Sequence, residues 1–300
     1  MGSPDFAAVI LQGLTESFQV VGVVTQPDRP SGRGRVMSPP PVKELAEKLG
    51  IPVMQPVKLR VPEAFEQLVS WHADVIVVAA FGQILRQNVL DLPPLGCINV
   101  HASYLPRWRG AAPIQAAILN GDLYTGVSIM RMDAGIDTGP VYTQVKEIIH
   151  EEDTADSLGI RLAELGRKTL IEILPAILNG ELIPSAQNGE ATYASMLKKE
   201  NGLLDWKKTA FELERQVRAY NDWPGSFIMW KETPLKIRKV KVIEKTNLEA
   251  GKYFLWEGLP AVATIDHSLL LLEVQPAGKK WMGGKDFLNG NPDWAGEKSA

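Results

Sequence analysis

The stretch ADVIVVAA at residues 73–80 is an almost unbroken run of apolar side chains, and QVVGVVT at residues 19–25 is a second run of the same kind. Such runs are typical of parallel strands that are buried on both faces of a sheet. Between them, PVKELAEKL at residues 41–49 opens with proline and stops at Gly50, as helices commonly do. These three segments predict an open α/β sheet.

The same alternation continues along the first half of the chain. Residues 96–100 and 126–132 are strand-like, and a helix is predicted between them at residues 112–119. A long amphipathic helix follows at residues 154–178. The pattern therefore predicts a doubly wound, mostly parallel α/β sheet.

The second half of the chain has a different pattern. Residues 184–192 are polar and contain proline and glycine, which indicates a domain boundary. Residues 211–220 predict one helix. Short apolar runs separated by Gly, Pro and Asn then predict a small β-barrel or sandwich. These runs are residues 226–230, 235–243, 261–264 and 269–274.

The length of 300 residues is about twice that of a usual single domain, so two domains are expected. We place a catalytic domain at residues 1–184, a linker at 185–197 and a C-terminal domain at 198–300. The C-terminal part from residue 197 has 17 basic and 14 acidic residues within a chain of net charge −3. This small excess is consistent with a polyanionic partner of the second domain.

Composition excludes several classes of protein. The chain is 45% hydrophobic and 22% charged, as expected for a globular protein with a sizeable core. Its single cysteine, Cys97, excludes a disulfide framework and a multi-cysteine metal site, and no apolar run is long enough to predict a membrane span. We therefore expect a cytoplasmic, non-membrane protein, bacterial in the first instance, with an organellar version left open.

The N-terminal residues do not follow the usual order of a doubly wound domain. Residues 1–5 are typical of a strand-to-helix turn, and the helix predicted at residues 6–14 has no strand before it. Either the sheet lacks that strand or Met1 is an internal methionine of a longer natural chain.

The segment NVHASYLP at residues 99–106 contains the first candidate catalytic residues. Asn99 and His101 fall at the carboxyl end of a predicted strand, where open α/β sheets bind their ligands. Two positions apart on a strand, their side chains share one face and could both donate to one developing oxyanion. The alternative is that Asn99 caps a turn and His101 is a structural histidine.

A second candidate lies in MDAGIDTGP at residues 132–140, a tight loop expected at the same edge of the sheet. Asp137 in this loop could orient His101 and hold its protonation state. The alternative is ordinary turn chemistry, because Asp and Gly both favour turns.

Other catalytic classes have no support in the sequence. Ser103 lacks a nucleophile elbow, and Cys97 lies within an apolar strand, where a free cysteine is usually inert. No spacing of His, Asp or Glu predicts a metal site, and the glycines at residues 31–35 match neither a Walker A motif nor a dinucleotide fingerprint.

Two basic segments are candidates for contact with a polyanion. QPDRPSGRGRVMSPPP at residues 26–41 predicts a long flexible loop with three arginines, and arginines of this kind suit phosphate groups. RWRG at residues 107–110 is a second basic patch, with a tryptophan that could stack. The alternative for both is a solvated surface.

Taken together, six segments resemble the methionyl-tRNA formyltransferase family. They are GSPDFA at 2–7, QPDRP at 26–30, SYLPRWRGAAPIQ at 103–115, DAGIDTG at 133–139, RAYN at 218–221 and QPAGKK at 275–280. The resemblance implies a Rossmann-like formyltransferase domain followed by an OB-like β-barrel. Tyr104 stands where relatives commonly have leucine.

By this resemblance, the enzyme would transfer the formyl group of 10-formyltetrahydrofolate to methionine on initiator tRNA, as a monomer and without a metal. Asn99 would hydrogen-bond the formyl oxygen, His101 would stabilise the oxyanion, and Asp137 would orient His101 and assist proton movement. The implied folate-binding residues are Ser103, Tyr104, Leu105, Pro106, Phe81, Gly82 and Ile84. The implied tRNA-binding residues are Arg29, Arg33, Arg35, Arg107, Arg109, Lys236, Arg238, Lys279 and Lys280.

The resemblance also leaves alternatives open. The combination of Asn99, His101 and Asp137 is shared by all formyltransferases that use 10-formyltetrahydrofolate, so another such transferase, for example one acting on a sugar amine, or a hydrolase could have it. A catalytically impaired tRNA-binding relative is the third possibility.

Overall fold

A computed structural model of the chain describes residues 1–31, 36–244 and 247–296. The chain forms two compact units. The first comprises residues 1–113, 124–148 and 159–195, and the second comprises residues 114–123, 149–158 and 196–300. Within the described residues, no helix combines the length and the apolar character that crossing a bilayer would require.

The first part of the chain alternates helices and strands as far as residue 195. The helices are α1 (Asp5–Ser17), α2 (Pro41–Lys48), α3 (Pro62–Ser70), α4 (Gln87–Leu90), α5 (Pro113–Leu119) and α6 (Ala155–Leu178). The strands are β1 (Val23–Val24), β2 (Arg29–Ser31), β3 (Val36–Ser38), β4 (Val53–Met54), β5 (Ile76–Val78), β6 (Cys97–His101), β7 (Arg109–Gly110), β8 (Tyr124–Arg131), β9 (Val141–Ile148) and β10 (Tyr193–Ala194).

The main sheet of the first unit has the order β5-β6-β8-β9. Strand β6 is parallel to β5, but β8 is antiparallel to both β6 and β9. The prediction of a mostly parallel sheet is therefore wrong for this sheet. The reason is local: residues 132–140 connect β8 and β9 without a helix, and a connection this short can join only antiparallel neighbours.

A second, two-stranded parallel sheet pairs β1 with β4, and the strand predicted at residues 19–25 is reduced to β1. Gly2 lies between β1 and β5, where it forms a parallel bridge with Ala79 and donates its backbone N–H to Val24 O. Met1 adds two contacts to the β5 segment: its N-terminal ammonium donates to Val77 O at 2.6 Å, and its carbonyl accepts the Ala79 N–H at 2.9 Å. A cavity of about 560 Å³ opens here, lined largely by apolar side chains such as Ile10, Leu14 and Ile76.

Helix α6 lies directly against the strand that carries the candidate site. Leu162, Leu170 and Leu174 are buried on it, which accounts for the apolar spacing seen in the sequence. At Gly166, a Cβ atom would lie 2.8 Å from Val100 Cγ1 of β6. A glycine at this position allows the helix to approach β6 closely. The close packing of α6 then restrains the position of β6.

The second unit is mainly an antiparallel sheet. Its helices are α7 (Ala210–Ala219) and α8 (Gly284–Asn289), with 3-10 turns at Lys199–Gly202 and Trp294–Gly296. Its strands are β11 (Ser226–Trp230), β12 (Thr233–Ile243), β13 (Tyr253–Trp256), β14 (Leu259–Ala263), β15 (Ser268–Gln275) and β16 (Met282–Gly283).

The strands of the second unit follow the order β11-β12-β15-β14-β13, and β16 pairs with β15. Among the described residues, β11 and β13 do not pair with each other, so the sheet is not closed into a barrel. Its core is aromatic: the rings of Tyr253 and Trp294 stack with centroids 4.4 Å apart, and Trp230 lies 4.6 Å from Trp294. These rings supply much of the buried apolar area that holds the unit together.

One carboxylate fixes the start of helix α7. Asp266 Oδ1 accepts the backbone N–H of Ala210 at 2.9 Å, as well as donors from Thr264 and His267. Burial opposes the charge on Asp266, but these hydrogen bonds outweigh it and lower the pKa of the carboxyl to about 2.

Candidate active site

Strand β6 carries the two polar side chains at the centre of the site. Asn99 and His101 are 9% and 6% exposed, within a strand that is otherwise apolar and wholly buried. Asn99 is paired with Val78 of β5 and with Met130 of β8, and His101 is paired with Ser128 of β8. Asn99 is therefore held by strands on both sides, and His101 is held by β8.

The carboxylate of Asp137 contacts both of these side chains. Asn99 Nδ2 donates to Asp137 Oδ1 at 3.2 Å, and His101 Nδ1 lies 3.7 Å from Asp137 Oδ2. The backbone N–H of Gly110 donates to the same Oδ2 at 2.8 Å. An amide, an imidazole and a carboxylate that are distant in sequence thus meet in the first unit.

The route of Asp137 to the site differs from the predicted one. Because β8 runs antiparallel to β6, its last residue, Arg131, is paired with Ile98 at the amino end of β6. The loop at residues 132–140 therefore does not start from the carboxyl edge of β6. Asp137 instead approaches the face of the sheet that Asn99 and His101 share, since it contacts both side chains.

The hydrogen-bonding partners of His101 constrain where its protons lie. His101 Nε2 is 3.0 Å from the carbonyl oxygen of Trp108. A carbonyl only accepts, so Nε2 donates its proton there. The other nitrogen, Nδ1, faces a carboxylate, which is also an acceptor. With Nε2 occupied by Trp108 O, Nδ1 is the ring nitrogen that faces Asp137.

The backbone around the site is held in left-handed conformations. Trp108 and Asp137 have φ angles of 62° and 50°, which are uncommon for residues with side chains. Gly110 has φ 113°, and a Cβ atom there would lie 2.5 Å from Ala194 O. Only glycine fits at this position, where β7 pairs with β10 and places the Gly110 N–H on Asp137.

Sequence reasoning missed two residues that support the site. Gln187 donates to the backbone carbonyl of Asp137 at 2.8 Å, and Thr192 Oγ1 accepts the N–H of Trp108 at 2.9 Å. Both lie in the polar stretch that we predicted to be a boundary and linker. An amide and a hydroxyl in a polar stretch carry no sequence signal of this role. The pairing of β10 with β7 and the bridge between Val141 and Ser185 bring them to the site.

The loop after β5 lies next to Asn99, because Val78 and Asn99 are paired neighbours. It contains three predicted folate-binding residues with different environments. Phe81 is 3% exposed and belongs to the core, whereas Gly82 is exposed with φ 76° and Ile84 is 86% exposed. Gly82 and Ile84 are therefore accessible to a ligand, whereas the Phe81 side chain packs in the core and anchors the loop.

The segment from Ser103 to Pro106 divides in a similar way. Ser103 is fully buried, and its hydroxyl donates to Arg107 O at 2.6 Å, so its side chain is already used within the protein. Tyr104, Leu105 and Pro106 line a cavity of about 500 Å³ in the first unit. Gln187 lines it too.

The basic residues predicted in the first unit have different environments. Arg29 is exposed and donates to Gln26 Oε1 at 3.2 Å, at the base of a hairpin formed by β2 and β3. Residues 26–41 were predicted to be a long loop, whereas the structure pairs two short strands, β2 and β3, within this segment. Arg33 and Arg35 lie outside the described residues.

The other two basic residues of this unit flank Trp108. The guanidinium of Arg107 lies 4.5 Å from the centroid of the Trp108 ring. Arg109 donates through Nη2 to Gln187 Oε1 at 2.7 Å. Arg107 is exposed, whereas Arg109 is half-buried and directed toward Gln187, which holds the backbone of Asp137.

In the second unit, Lys236 and Arg238 are exposed positions of β12 that alternate with buried Leu235 and Ile237. Arg238 lies 5.6 Å from the Trp281 ring, and Lys279 and Lys280 are exposed in the turn before β16. Two further exposed lysines of β12, Lys239 and Lys241, extend this basic row and were not singled out from the sequence.

Cys97 starts strand β6 but has no place in the chemistry. It is 1% exposed, and burial raises the pKa of its thiol to about 12. This confirms the prediction of an inert core cysteine. Among the described residues, no group of three His, Cys, Asp or Glu side chains could hold a metal ion.

Comparison with known families gives two matches that together span most of the chain. Residues 1–174 match the family described as formyl transferase, and residues 196–292 match the formyl transferase C-terminal domain. The first match contains Asn99, His101, Gly110 and Asp137, whereas Gln187 and Thr192 lie outside it.

Several solved structures share the fold. The sugar 3N-formyl transferase WlaRD, solved in the presence of dTDP and 5-N-formyl-THF, is 21% identical, with 93% of this chain and 97% of that chain covered and a TM-score of 0.66. An N-formyltransferase from Helicobacter canadensis, in complex with folinic acid and dTDP-3-aminofucose, is 21% identical over 92% and 97%, with a TM-score of 0.64. HypX from Aquifex aeolicus is 16% identical over 82% and 45%, with a TM-score of 0.61.

Proposed function

This chain belongs to the formyl transferase family, and we propose that it transfers the formyl group of 10-formyltetrahydrofolate to the α-amino group of methionyl initiator tRNA. The observation that carries the proposal is the carboxylate of Asp137, which holds the Asn99 amide and the Gly110 N–H and faces His101. Two of the similar structures were solved with a formylated folate, which supports that donor for this fold.

The surroundings of the site fit a flat, partly apolar donor such as a folate. Ile84 is 86% exposed on the loop next to Asn99, and Ile136, which precedes Asp137, is 62% exposed. Large apolar side chains this exposed beside buried polar groups are typical of a ligand site. Gly82, with no side chain, leaves its backbone open to the pterin ring.

When bound, 10-formyltetrahydrofolate supplies an activated formyl carbonyl, and the residues of the site act on it as donors and acceptors. One N–H of the Asn99 amide is used on Asp137, and the second can donate to the formyl oxygen. His101 Nδ1, when protonated, is a second donor, because Nε2 is already committed to Trp108 O. Two such donors stabilise the negative charge that forms on the oxygen.

Asp137 has a separate task, which is to receive a proton. As the amine nitrogen bonds to the formyl carbon, it loses a proton, and the C–N bond to the folate nitrogen breaks as that nitrogen gains one. The Asp137 carboxylate, 3.7 Å from His101 Nδ1, can accept the first proton and return it to the departing folate nitrogen, directly or through water. The amine attacks directly, so no enzyme nucleophile is needed.

The acceptor is proposed from the basic residues. An exposed arginine, Arg29, begins the segment that also contains Arg33 and Arg35, and β12 of the second unit presents Lys236 and Arg238 on one face. Rows of exposed cations of this kind suit the phosphates of a nucleic acid and carry no base specificity by themselves. They support tRNA as the carrier of the amine.

A sugar amine is the second candidate acceptor. It is favoured by the similar structures WlaRD and that from Helicobacter canadensis, which are a sugar 3N-formyl transferase and an N-formyltransferase solved with dTDP-3-aminofucose. The same amide, imidazole and carboxylate would act on either amine, so the acceptor has to be tested directly.

The test is transfer of labelled formyl groups from 10-formyltetrahydrofolate to three acceptors in parallel: charged initiator tRNA, charged elongator tRNA and dTDP-3-aminofucose. Label on initiator tRNA alone is the expected result. Label on the sugar alone would establish the second candidate, and release of free formate without any labelled acceptor would indicate a hydrolase.

A further inference from the structure

A single side-chain amide joins the two loops that carry the site. Gln187 Nε2 donates to the carbonyl oxygens of Asp137 at 2.8 Å and Gly139 at 2.9 Å. Gln187 Oε1 accepts from Arg109 Nε at 3.1 Å and from Arg109 Nη2 at 2.7 Å. An amide has two donor hydrogens and two main acceptor sites, so the hydrogen-bonding capacity of Gln187 is fully used.

The residues at the two ends of this link are those that set the catalytic geometry. On one side, Gln187 holds the backbone of Asp137 itself. On the other side, Arg109 precedes Gly110, whose N–H donates to the Asp137 carboxylate, and follows the residue whose carbonyl contacts His101. The amide thus fixes the distance between the loop that carries the carboxylate and the loop that orients the imidazole.

We propose that Gln187 is a positioning residue for formyl transfer, acting through Asp137, and that Arg109 is its anchor. The inference rests on the proposed function, because it assigns Gln187 a part in that same reaction. Asp137 lies in a loop without regular structure and has a left-handed backbone, so little else among its described contacts holds its main chain in place.

The effect on activity should exceed the effect on stability. Gln187 is half-buried at the edge of the first unit, so water can satisfy the two carbonyls when the amide is removed. A shift of about 1 Å in a catalytic group can still cost about 10²-fold in rate. Gln187→Met keeps the length of the side chain and removes all four hydrogen bonds, and it should lower kcat by about 10- to 100-fold.

A second variant separates the two ends of the link. Gln187→Glu retains acceptors for Arg109 but presents an oxygen to the carbonyls of Asp137 and Gly139, which also only accept. We expect the same loss of kcat as in Gln187→Met. In both variants the fall in kcat should exceed any rise in KM for 10-formyltetrahydrofolate, because the hydrogen bonds of Gln187 go to Asp137, Gly139 and Arg109 rather than to the donor.

The matched control is Gln216→Met in the second unit. Gln216 Nε2 makes the same kind of double contact, donating to the carbonyls of Asn201 and Leu203 at 3.2 Å each, and it is 3% exposed. This variant should lower the midpoint of thermal unfolding while leaving kcat per folded molecule within about threefold of wild type. It measures what the loss of such an amide costs in stability alone.

The decisive experiment repeats Gln187→Met in the Asp137→Asn background, with single-turnover formyl transfer as the readout. If Gln187 acts through the carboxylate, its removal there should cost less than about threefold. A loss as large as in the wild-type background would mean independent effects and would overturn the proposal, as would an unchanged kcat in the single variant. If the wild-type protein transferred formyl groups to no acceptor, the proposed function itself would be overturned. If the wild-type protein were active and the variants behaved as just described, only the role of Gln187 would be overturned.

Discussion

Asp137→Asn is the sharpest test of the site, because it removes the charge and one acceptor oxygen at nearly constant size. Asparagine tolerates the left-handed backbone at φ 50°. Two donors use the two carboxylate oxygens: Asn99 Nδ2 donates to Oδ1 at 3.2 Å and Gly110 N donates to Oδ2 at 2.8 Å. Asparagine presents an NH₂ donor in place of one of these oxygens, so one hydrogen bond is lost outright. A hydrogen bond to a charged group contributes about 1.5–3 kcal/mol, so the loss weakens the site by at least about 2 kcal/mol.

That weakening alone corresponds to about 30-fold in rate if it is fully expressed in the transition state. The variant also loses the group that receives the amine proton, and general-base catalysis contributes about 10²–10⁴-fold. We therefore expect kcat to fall by about 10²–10⁴-fold, measured in single turnovers with labelled 10-formyltetrahydrofolate and charged initiator tRNA.

The control is Asp133→Asn on the same loop. Asp133 is exposed, and its carboxylate accepts from Gly135 N and Thr138 Oγ1 within the loop. Its kcat should remain within about threefold of wild type. If Asp137→Asn also retained kcat within about threefold while folded, the carboxylate would have no part in the chemistry.

Three further outcomes are expected. Asn99→Ala and His101→Ala should each lower kcat in the same assay by about 10²-fold or more, since losing one oxyanion donor costs about 3 kcal/mol, and turnover near wild type would remove that residue from the mechanism. Cys97 should resist iodoacetamide in the native protein and react after denaturation, because burial raises its pKa to about 12; labelling of native protein, read by mass spectrometry, would contradict this. Asp266→Asn should lower the midpoint of thermal unfolding at pH 7, and the difference should shrink as the pH falls from about 4 toward 2, because a folded pKa of about 2 against an ordinary 3.8 stabilises the fold only while the carboxylate is ionised; a difference independent of pH would contradict it.

Helices were the part of the fold that could be predicted best from sequence. Residues 41–49 and 154–178 were predicted as helices, and the structure has Pro41–Lys48 and Ala155–Leu178. Their signals are local, namely proline at the start and an apolar spacing of three to four residues. Strand β9 at Val141–Ile148 was missed because its exposed and buried positions do not alternate cleanly, which leaves no strong period of two.

The direction of a strand is not a local property, and it was predicted less well. Residues 126–132 read as a buried apolar run whether the strand is parallel or antiparallel, since β8 is covered on both faces in either case. The missing helix between residues 132 and 140 decides only that β9 is antiparallel to β8; the connection from β6 to β8, residues 102–123, contains α5 and does not reveal the direction of β8. The mostly parallel sheet was therefore inferred from the general α/β pattern rather than from this segment.

The candidate site shows the same division between local and distant information. Asn99 and His101 could be selected because their spacing of two places both side chains on one face of a strand. Gln187 could not, because its partners lie 50 and 78 residues away and its neighbours read as a linker. Residues that contact a reacting group have a chemical identity that is visible in the sequence, whereas residues that hold the backbone of such a group do not.

The antiparallel direction of β8 gives the site its particular construction. If β8 were parallel to β6, the loop after it would start at the carboxyl end of β6 and Asp137 could reach His101 from the edge. With Arg131 paired to Ile98, the loop starts at the other end of β6 and has to cross the sheet face to reach Asn99 and His101. Asn99 and Gly110 hold the carboxylate of Asp137, and the amide of Gln187 holds its backbone carbonyl. The Gln187 amide acts by positioning the Asp137 carboxylate. The effects on kcat of substituting Gln187 and Asp137 should therefore not be additive.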